Sequence, residues 1–188
     1  MALTASSMLP LGTKAPPFTL PDAVGGKPMS LDASKGAQAT VVMFICNHCP
    51  YVKHVQPELV RVARDYQPRG AGFVAISSND VRDYPEDAPA RMKEVALKLG
   101  YSFPYLYDET QQVAKAYKAA CTPDFYVFDR DLKCVYRGRL DESSPGNGRP
   151  LTGADLRAAL EAVLNGKPVN PDQHPSTGCN IKWASRRA

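Results

Sequence analysis

Apolar residues fall into a few bounded runs, and their period changes from one run to the next. VVMFI at 41–45 is continuous, the pattern of a central strand buried on both faces. After Pro50 the period becomes helical, with Val52, Val55, Leu59, Val62 and Tyr66 on one face. Pro50 suits a first helical turn, while Pro57 predicts a kink. Gly70 and Gly72 close that unit, and FVAIS at 73–77 predicts a second buried strand. Upstream, Phe18, Leu20, Met29 and Leu31 alternate around Pro21 and Pro28, which predicts a short hairpin laid on the body.

Residues 80–107 form an added segment, with a helix expected near 87–99 and stopped by Gly100. Asp108 and Gln111 match a capping box, predicting a helix to about Lys118. Cys121-Thr122-Pro123 then leads into DFYVFD and LKCVYRGRL, which are expected to pair antiparallel. Thr152 is expected to begin the last helix, with Leu156, Leu160 and Val163 inward and Gly166 as its end. From Lys167 the sequence predicts an irregular tail. Parallel strands joined by helices, followed by an antiparallel pair, give an α/β sandwich. No linker or repeat interrupts it, so residues 1–188 are expected to form one domain.

Composition agrees with that reading. With 188 residues, 44% of them hydrophobic, the chain can bury a sizeable core, which excludes a disordered or disulfide-stapled scaffold. No apolar stretch reaches the roughly 18–20 residues of a spanning helix. MALTASSMLPLGTKAPP lacks a basic start and a long apolar region, so a cytoplasmic location without a secretory signal is expected. The formal charge is +4, and from Gln173 onward there is no acid, only Lys182, Arg186 and Arg187. A short basic tail on a near-neutral body is not a nucleic-acid-binding face.

Five cysteines change the picture most. Two form Cys46-Asn47-His48-Cys49, at the end of a buried strand and the start of a helix. Unpaired N–H groups and the helix dipole there favour thiolate, the nucleophilic form. The expected division is that Cys46 attacks and Cys49, one turn on, resolves the mixed disulfide. His48 adds a cation or hydrogen-bond donor beside the thiolate, making the pair a milder reductant than one with Gly-Pro between the cysteines. A competing reading adds His174 and Cys179 to the pair as a four-ligand zinc site. The setting of strand and helix argues against it, because structural zinc ligands usually come from knuckles or short loops.

FICNHCPYV, the mid-helix Pro57 and the late Thr122-Pro123 resemble the thioredoxin-like superfamily. GTKAPPFTLPD and the 80–107 insert resemble its redoxin branch, which includes peroxiredoxins and alkyl hydroperoxide reductases. The terminal Gly178-Cys179-Asn180-Ile181-Lys182-Trp183 is similar to a peroxiredoxin-like subgroup. The resemblance implies a thioredoxin-like three-layer sandwich with an N-terminal hairpin, and Cys46 and Cys49 as its active pair. It also implies a cis peptide before Pro123, facing the cysteines, so that the backbone of Thr122 pairs with an extended substrate. Asn47 joins Thr122 as an expected substrate contact. Peroxiredoxins carry Pro-x-x-x-Thr-x-x-Cys, whereas three residues before Cys49 stands Cys46, and three before Cys46 stands Met43. Arg137 or Arg139 could supply a peroxiredoxin-like arginine, although a solvated surface position is the default for each.

Cys134 and Cys121 read as buried structural thiols, and His54 as solvated on the outer face of its helix. Ile181 and Trp183 are expected to dock the tail, leaving Cys179 packed and dispensable; docking near the helix start would instead bring it to the active pair. The resulting expectation is a thiol–disulfide oxidoreductase without cofactor or metal. Its partners would be protein or small-molecule disulfides, or peroxides, with a thiol electron donor and neither nucleic acid nor membrane. A thiol peroxidase and a non-enzymatic zinc-binding domain are the alternatives.

Overall fold

The computed structural model describes residues 3–185, so Arg186 and Arg187 of the basic tail lie outside the described residues. The elements are β1 (Leu3–Ala5), β2 (Thr19–Pro21), β3 (Pro28–Ser30), α1 (Leu31–Ser34), β4 (Ala39–Phe44) and α2 (Pro50–Tyr66). There follow β5 (Ala71–Ser77), α3 (Pro89–Leu99), β6 (Tyr105–Tyr107), α4 (Gln112–Ala116) and β7 (Cys121–Thr122). The chain ends with β8 (Asp124–Asp129), β9 (Cys134–Gly138), α5 (Ala154–Leu164) and β10 (Thr177–Asn180).

A five-stranded sheet in the order β6-β5-β4-β8-β9 forms the centre. Strands β4, β5 and β6 run parallel, while β8 and β9 continue the sheet antiparallel. Even in the fully buried β4 the two-residue period sorts side chains between layers. Val41, Met43 and Ile45 pack under α2 and α5, with Val55, Leu59, Leu156 and Leu160. Val42 and Phe44 face the opposite layer, with Phe18, Leu20 and Tyr117. Such a covered sheet is the thioredoxin-like three-layer sandwich that the sequence predicts. The predicted hairpin is the β2–β3 pair, and the inserted segment adds α3 and the edge strand β6.

Helix α2 runs through Pro57, whose position is solvent-exposed. Three local expectations change. Gln111 adopts a left-handed backbone (φ 61°) with no side-chain cap, so α4 is one short helix. The Gln111 amide instead donates to the Ser78 and Lys182 carbonyls, at 2.7 and 2.8 Å. Helix α5 starts after Thr152, whose N–H donates to Asp141 Oδ2 at 2.7 Å. The tail is ordered: β10 lies between β1 and β7 in a second, antiparallel sheet.

That tail strand fixes the surroundings of the site. Cys179 pairs with Thr122 and Asn180 with Cys121. A Cβ on Gly178 would stand 2.1 Å from the Thr122 carbonyl oxygen, so only glycine permits this approach. Beyond it Ile181 is buried, and Asn79 Oδ1 accepts the Lys182 N–H at 2.8 Å. Trp183 stays 43% exposed, so Ile181 rather than Trp183 is the apolar anchor. Gly178→Ala is expected to destabilise the protein by about 1–3 kcal/mol through overpacking. Thermal unfolding should fall by roughly 2–4 °C for each kcal/mol lost. An unchanged midpoint would show that β10 does not lie this close to Thr122.

Candidate active site

The active loop leaves the sheet where β4 and β8 are in register, Phe44 opposite Asp124. Two residues past Phe44 comes Cys46, and one before Asp124 comes Pro123, so the pairing sets the two segments face to face. The Thr122–Pro123 peptide is cis. Thr122 Oγ1 is 3.4 Å from Cys46 Sγ, and the Thr122 carbonyl is 3.3 Å from Cys49 Sγ. Cys46, Cys49, Thr122 and Pro123 therefore share one site.

Cys46 and Cys49 are 1% and 0% exposed, and their thiols hydrogen-bond to each other. Cys49 is the N-cap of α2 and holds the lower proton affinity, its pKa lowered to about 5. The hydrogen bond from Cys46 contributes most to that lowering. Burial opposes it, while the Cys179 thiol and the backbone N–H groups of Val52 and Cys179 add to it. Cys46 is held well above the ordinary thiol range by that same hydrogen bond, then by burial and the nearby Asp87 charge. Thiolate is thus favoured three residues later than the sequence predicts, at Cys49 rather than Cys46, through the Cys46 hydrogen bond first and the helix-start N–H of Val52 after it.

Asp87, which the sequence reading missed, organises the loop between them. Its carboxylate is fully buried and accepts the Asn47 N–H at 2.7 Å, the His48 N–H at 3.2 Å and the Asn79 amide at 2.7 Å. His48 Nδ1 closes the set at 2.6 Å, and the ring stacks on Tyr84. Burial alone would raise the carboxyl pKa. The His48 hydrogen bond, Asn79, the His48 charge and the Asn47 N–H together bring it below the usual carboxylate range. His48, expected as a cation or hydrogen-bond donor beside the thiolate, is tied to the Asp87 carboxylate within 4.8 Å of the Cys46 sulfur. Nothing in the string PED marked Asp87; its signal is the need of a buried charge for donors.

Asn47 is engaged within the loop on both sides of its amide. Its amide donates to the Glu86 carbonyl at 2.8 Å, and its Oδ1 accepts from Tyr105 at 3.2 Å. Asn47 thus braces the loop from within. Thr122 likewise has its backbone paired with Cys179, so the edge expected to receive an extended substrate holds the chain's own strand. A cleft of about 330 Å³ opens beside it, lined by Tyr51, Val55, Pro123, Phe125 and Leu140 among others.

Neither candidate arginine joins the sulfurs. Arg139 pairs with Asp155 at 2.6 Å. Arg137 is fully buried over the Tyr126 ring, its three guanidinium nitrogens lacking hydrogen-bond partners among the described residues. A solvated surface position is therefore overturned for Arg137. His54 is half-buried and meets Ser143 Oγ at 2.8 Å, not solvent alone. His174 is exposed, in a different cleft with Tyr136 and Asp155, so it does not complete the four-ligand metal set. Among the described residues only Cys46, His48 and Asp87 cluster their ligand atoms, within 4.8 Å. The His48–Asp87 hydrogen bond already engages two of those three groups. Cys121 and Cys134 are buried, with burial raising both thiols, as structural positions require.

The sequence profile of the AhpC/TSA family matches residues 11–137. A solved structure of an uncharacterized conserved protein from Geobacillus kaustophilus is 63% identical, covering 100% of this chain and 99% of that one, with TM-score 0.97. A hypothetical protein from Sinorhizobium meliloti is 49% identical over 97% and 99% of the two chains, with TM-score 0.94. A secreted Mycobacterium tuberculosis disulfide oxidoreductase homologous to E. coli DsbE shares the fold at TM-score 0.60. It is 19% identical, covering 77% of this chain and 95% of that one. No curated protein matches.

The Asp87 network predicts a pH-dependent stability. A depressed folded-state carboxyl stabilises above its unfolded pKa, and the contribution vanishes as pH falls through the folded value. Asp87→Asn should therefore cost about 1.5–3 kcal/mol near neutral pH, through loss of hydrogen bonds to a charged acceptor. Urea unfolding of both proteins should show that gap narrowing below the ordinary carboxylate range. A gap independent of pH would exclude Asp87 as the ionised hub.

Proposed function

The chain belongs to the AhpC/TSA family, and on that premise we propose that it is a thiol–disulfide oxidoreductase exchanging disulfides through Cys46 and Cys49. One observation carries the reading: two thiols in mutual hydrogen bond at a helix start, facing a cis X-Pro segment. Exchange begins from a thiolate, so the reduced pair reacts from Cys49, whose negative charge meets the N–H groups of Val52 and Cys179. Attack on a substrate disulfide gives a mixed disulfide and releases one thiol. Cys46 then displaces the second, leaving Cys46–Cys49 oxidised for a thiol donor to reduce. His48 acts through Asp87, as a positioning residue for the loop.

A second reading, thiol peroxidase, has one observation in its favour. The Thr122 hydroxyl beside Cys46 supplies, from another strand, a polar group of the kind that polarises a peroxide. Arg137 and Arg139 lie elsewhere, so the reductase reading comes first.

Two measurements test the proposal. With dithiothreitol as donor, wild type should reduce glutathione disulfide, and Cys46→Ser or Cys49→Ser should bring turnover to background. Peroxide consumption outpacing disulfide reduction would favour the peroxidase. In a pH titration of thiolate absorbance, the reduced protein should ionise first at Cys49, well below the ordinary value of about 8.5. Cys46→Ala should move that transition upward by removing the principal donor. An early transition surviving in Cys49→Ser but lost in Cys46→Ala would return the nucleophile to Cys46.

A further inference from the structure

Cys179 was expected to be an inert packed thiol, yet the fold puts it on the active pair. Gly178 lets β10 settle against Thr122, and register then places Cys179 opposite that residue. Both the thiol and the backbone N–H of Cys179 hydrogen-bond to Cys49. The strand is held on each side of this contact. Ser6 donates its N–H to the Ser176 carbonyl at 2.9 Å, and Ile181 donates to Ala120 at 3.1 Å. Cys49 consequently touches two thiols, Cys46 from its own loop and Cys179 from the tail.

We propose that Cys179 is a third redox thiol, which takes Cys49 over from Cys46 by intramolecular exchange and so links the tail covalently to the start of α2. The inference rests on the oxidoreductase reading, since the Cys46–Cys49 disulfide is its starting point. The Cys179 sulfur attacks Cys49, forming Cys49–Cys179 and breaking Cys46–Cys49. The electron pair leaves on Cys46, which takes up the proton that Cys179 gives away. One disulfide and one thiol enter, and one disulfide and one thiol result. No further oxidant is required.

Local electrostatics ease this step once the pair is oxidised. In the reduced protein the Cys179 thiol is pushed up to about 12, by burial first and then by its hydrogen bond and charge interaction with Cys49. Oxidation of Cys49 to a disulfide removes its negative charge and therefore both of those contributions. The Lys182 ammonium, which favours a Cys179 thiolate, remains. Lys182 is itself buried and fixed by Asn180, through its carbonyl at 2.8 Å and its Oδ1 at 2.9 Å. Cys121 differs in its hydrogen bonds: its thiol faces the Pro123 and Ser176 carbonyls, at 3.9 Å each. The proposal therefore distinguishes two tail-side cysteines that are both buried.

The test is disulfide mapping after oxidation with glutathione disulfide, acid quenching and alkylation. Fragment ions should place a share of the wild-type disulfide between Cys49 and Cys179, alongside Cys46–Cys49. In Cys46→Ser the Cys49–Cys179 link should become the major species, with Cys121 and Cys134 alkylated. Glutathionylated Cys49 with a freely alkylated Cys179 in that variant would overturn the proposal, as would wild type containing Cys46–Cys49 alone. Should Cys46→Ser fail to fold, the wild-type map decides by itself. Cys179→Ser must still close Cys46–Cys49. If neither it nor wild type does so, the oxidoreductase reading fails rather than the role of Cys179.

Discussion

A carboxylate with no exposure must collect donors, and Asp87 collects them from the segment that carries the chemistry. Its partners include the backbone of Asn47 and both the backbone and ring of His48, the two residues between the cysteines. The loop conformation is thus set by a charge that belongs to the inserted segment, outside the C-x-x-C itself. Removing a partner from a buried charge costs more than the hydrogen bond alone, because the charge is then left uncompensated. Asn79, the fourth donor, also accepts from the Lys182 N–H. One side chain therefore connects the buried anion to the docked tail, so loop and tail depend on the same polar cluster.

Closure of the tail follows from a second constraint, backbone contact at Gly178. Strand β7 has only two residues and would otherwise present a bare edge beside the site. Strand β10 fills that edge, and β1 covers the other side of β10. The tail strand thus occupies the edge of Thr122 that pairs with Cys179, while Cys49 keeps its contacts with Cys46 and Cys179. Chemistry in so closed a place favours thiols that are already neighbours, since geometry supplies what diffusion would otherwise have to.

The central fold was legible because its signals are local and apolar. VVMFI, FVAIS and DFYVFD have strand composition, and the 50–66 segment keeps a helical period over its whole length, so each element and its type follow from the sequence. The tail strand was not legible. Its residues, Thr177-Gly178-Cys179-Asn180, have no apolar alternation, and its pairing is specified by backbone hydrogen bonds and a glycine contact with a residue 56 positions away. Asp87 was hidden for a related reason: its partners come from residues 47, 48 and 79, which only the fold assembles. Gln111 misled because a capping-box spacing describes a local bond, whereas its amide was needed by Ser78 and Lys182.

Proton placement within the cysteine pair shows how far a motif carries and where geometry takes over. A C-x-x-C opening a helix tells that one sulfur will be acidic, because N–H groups gather there. Which sulfur depends on where the helix begins and what else approaches. Here α2 begins at Pro50, so the Val52 N–H reaches Cys49, and the docked tail adds the Cys179 N–H to the same atom. Cys46 meets the Asp87 charge instead, offset by one hydroxyl from Thr122. Behind the Cys46–Cys49 hydrogen bond and burial, the anion that orders the loop also helps hold the proton on Cys46, and the strand beside the site adds donors that favour an ionised Cys49. Structural order and chemical polarity in this site come from the same contacts.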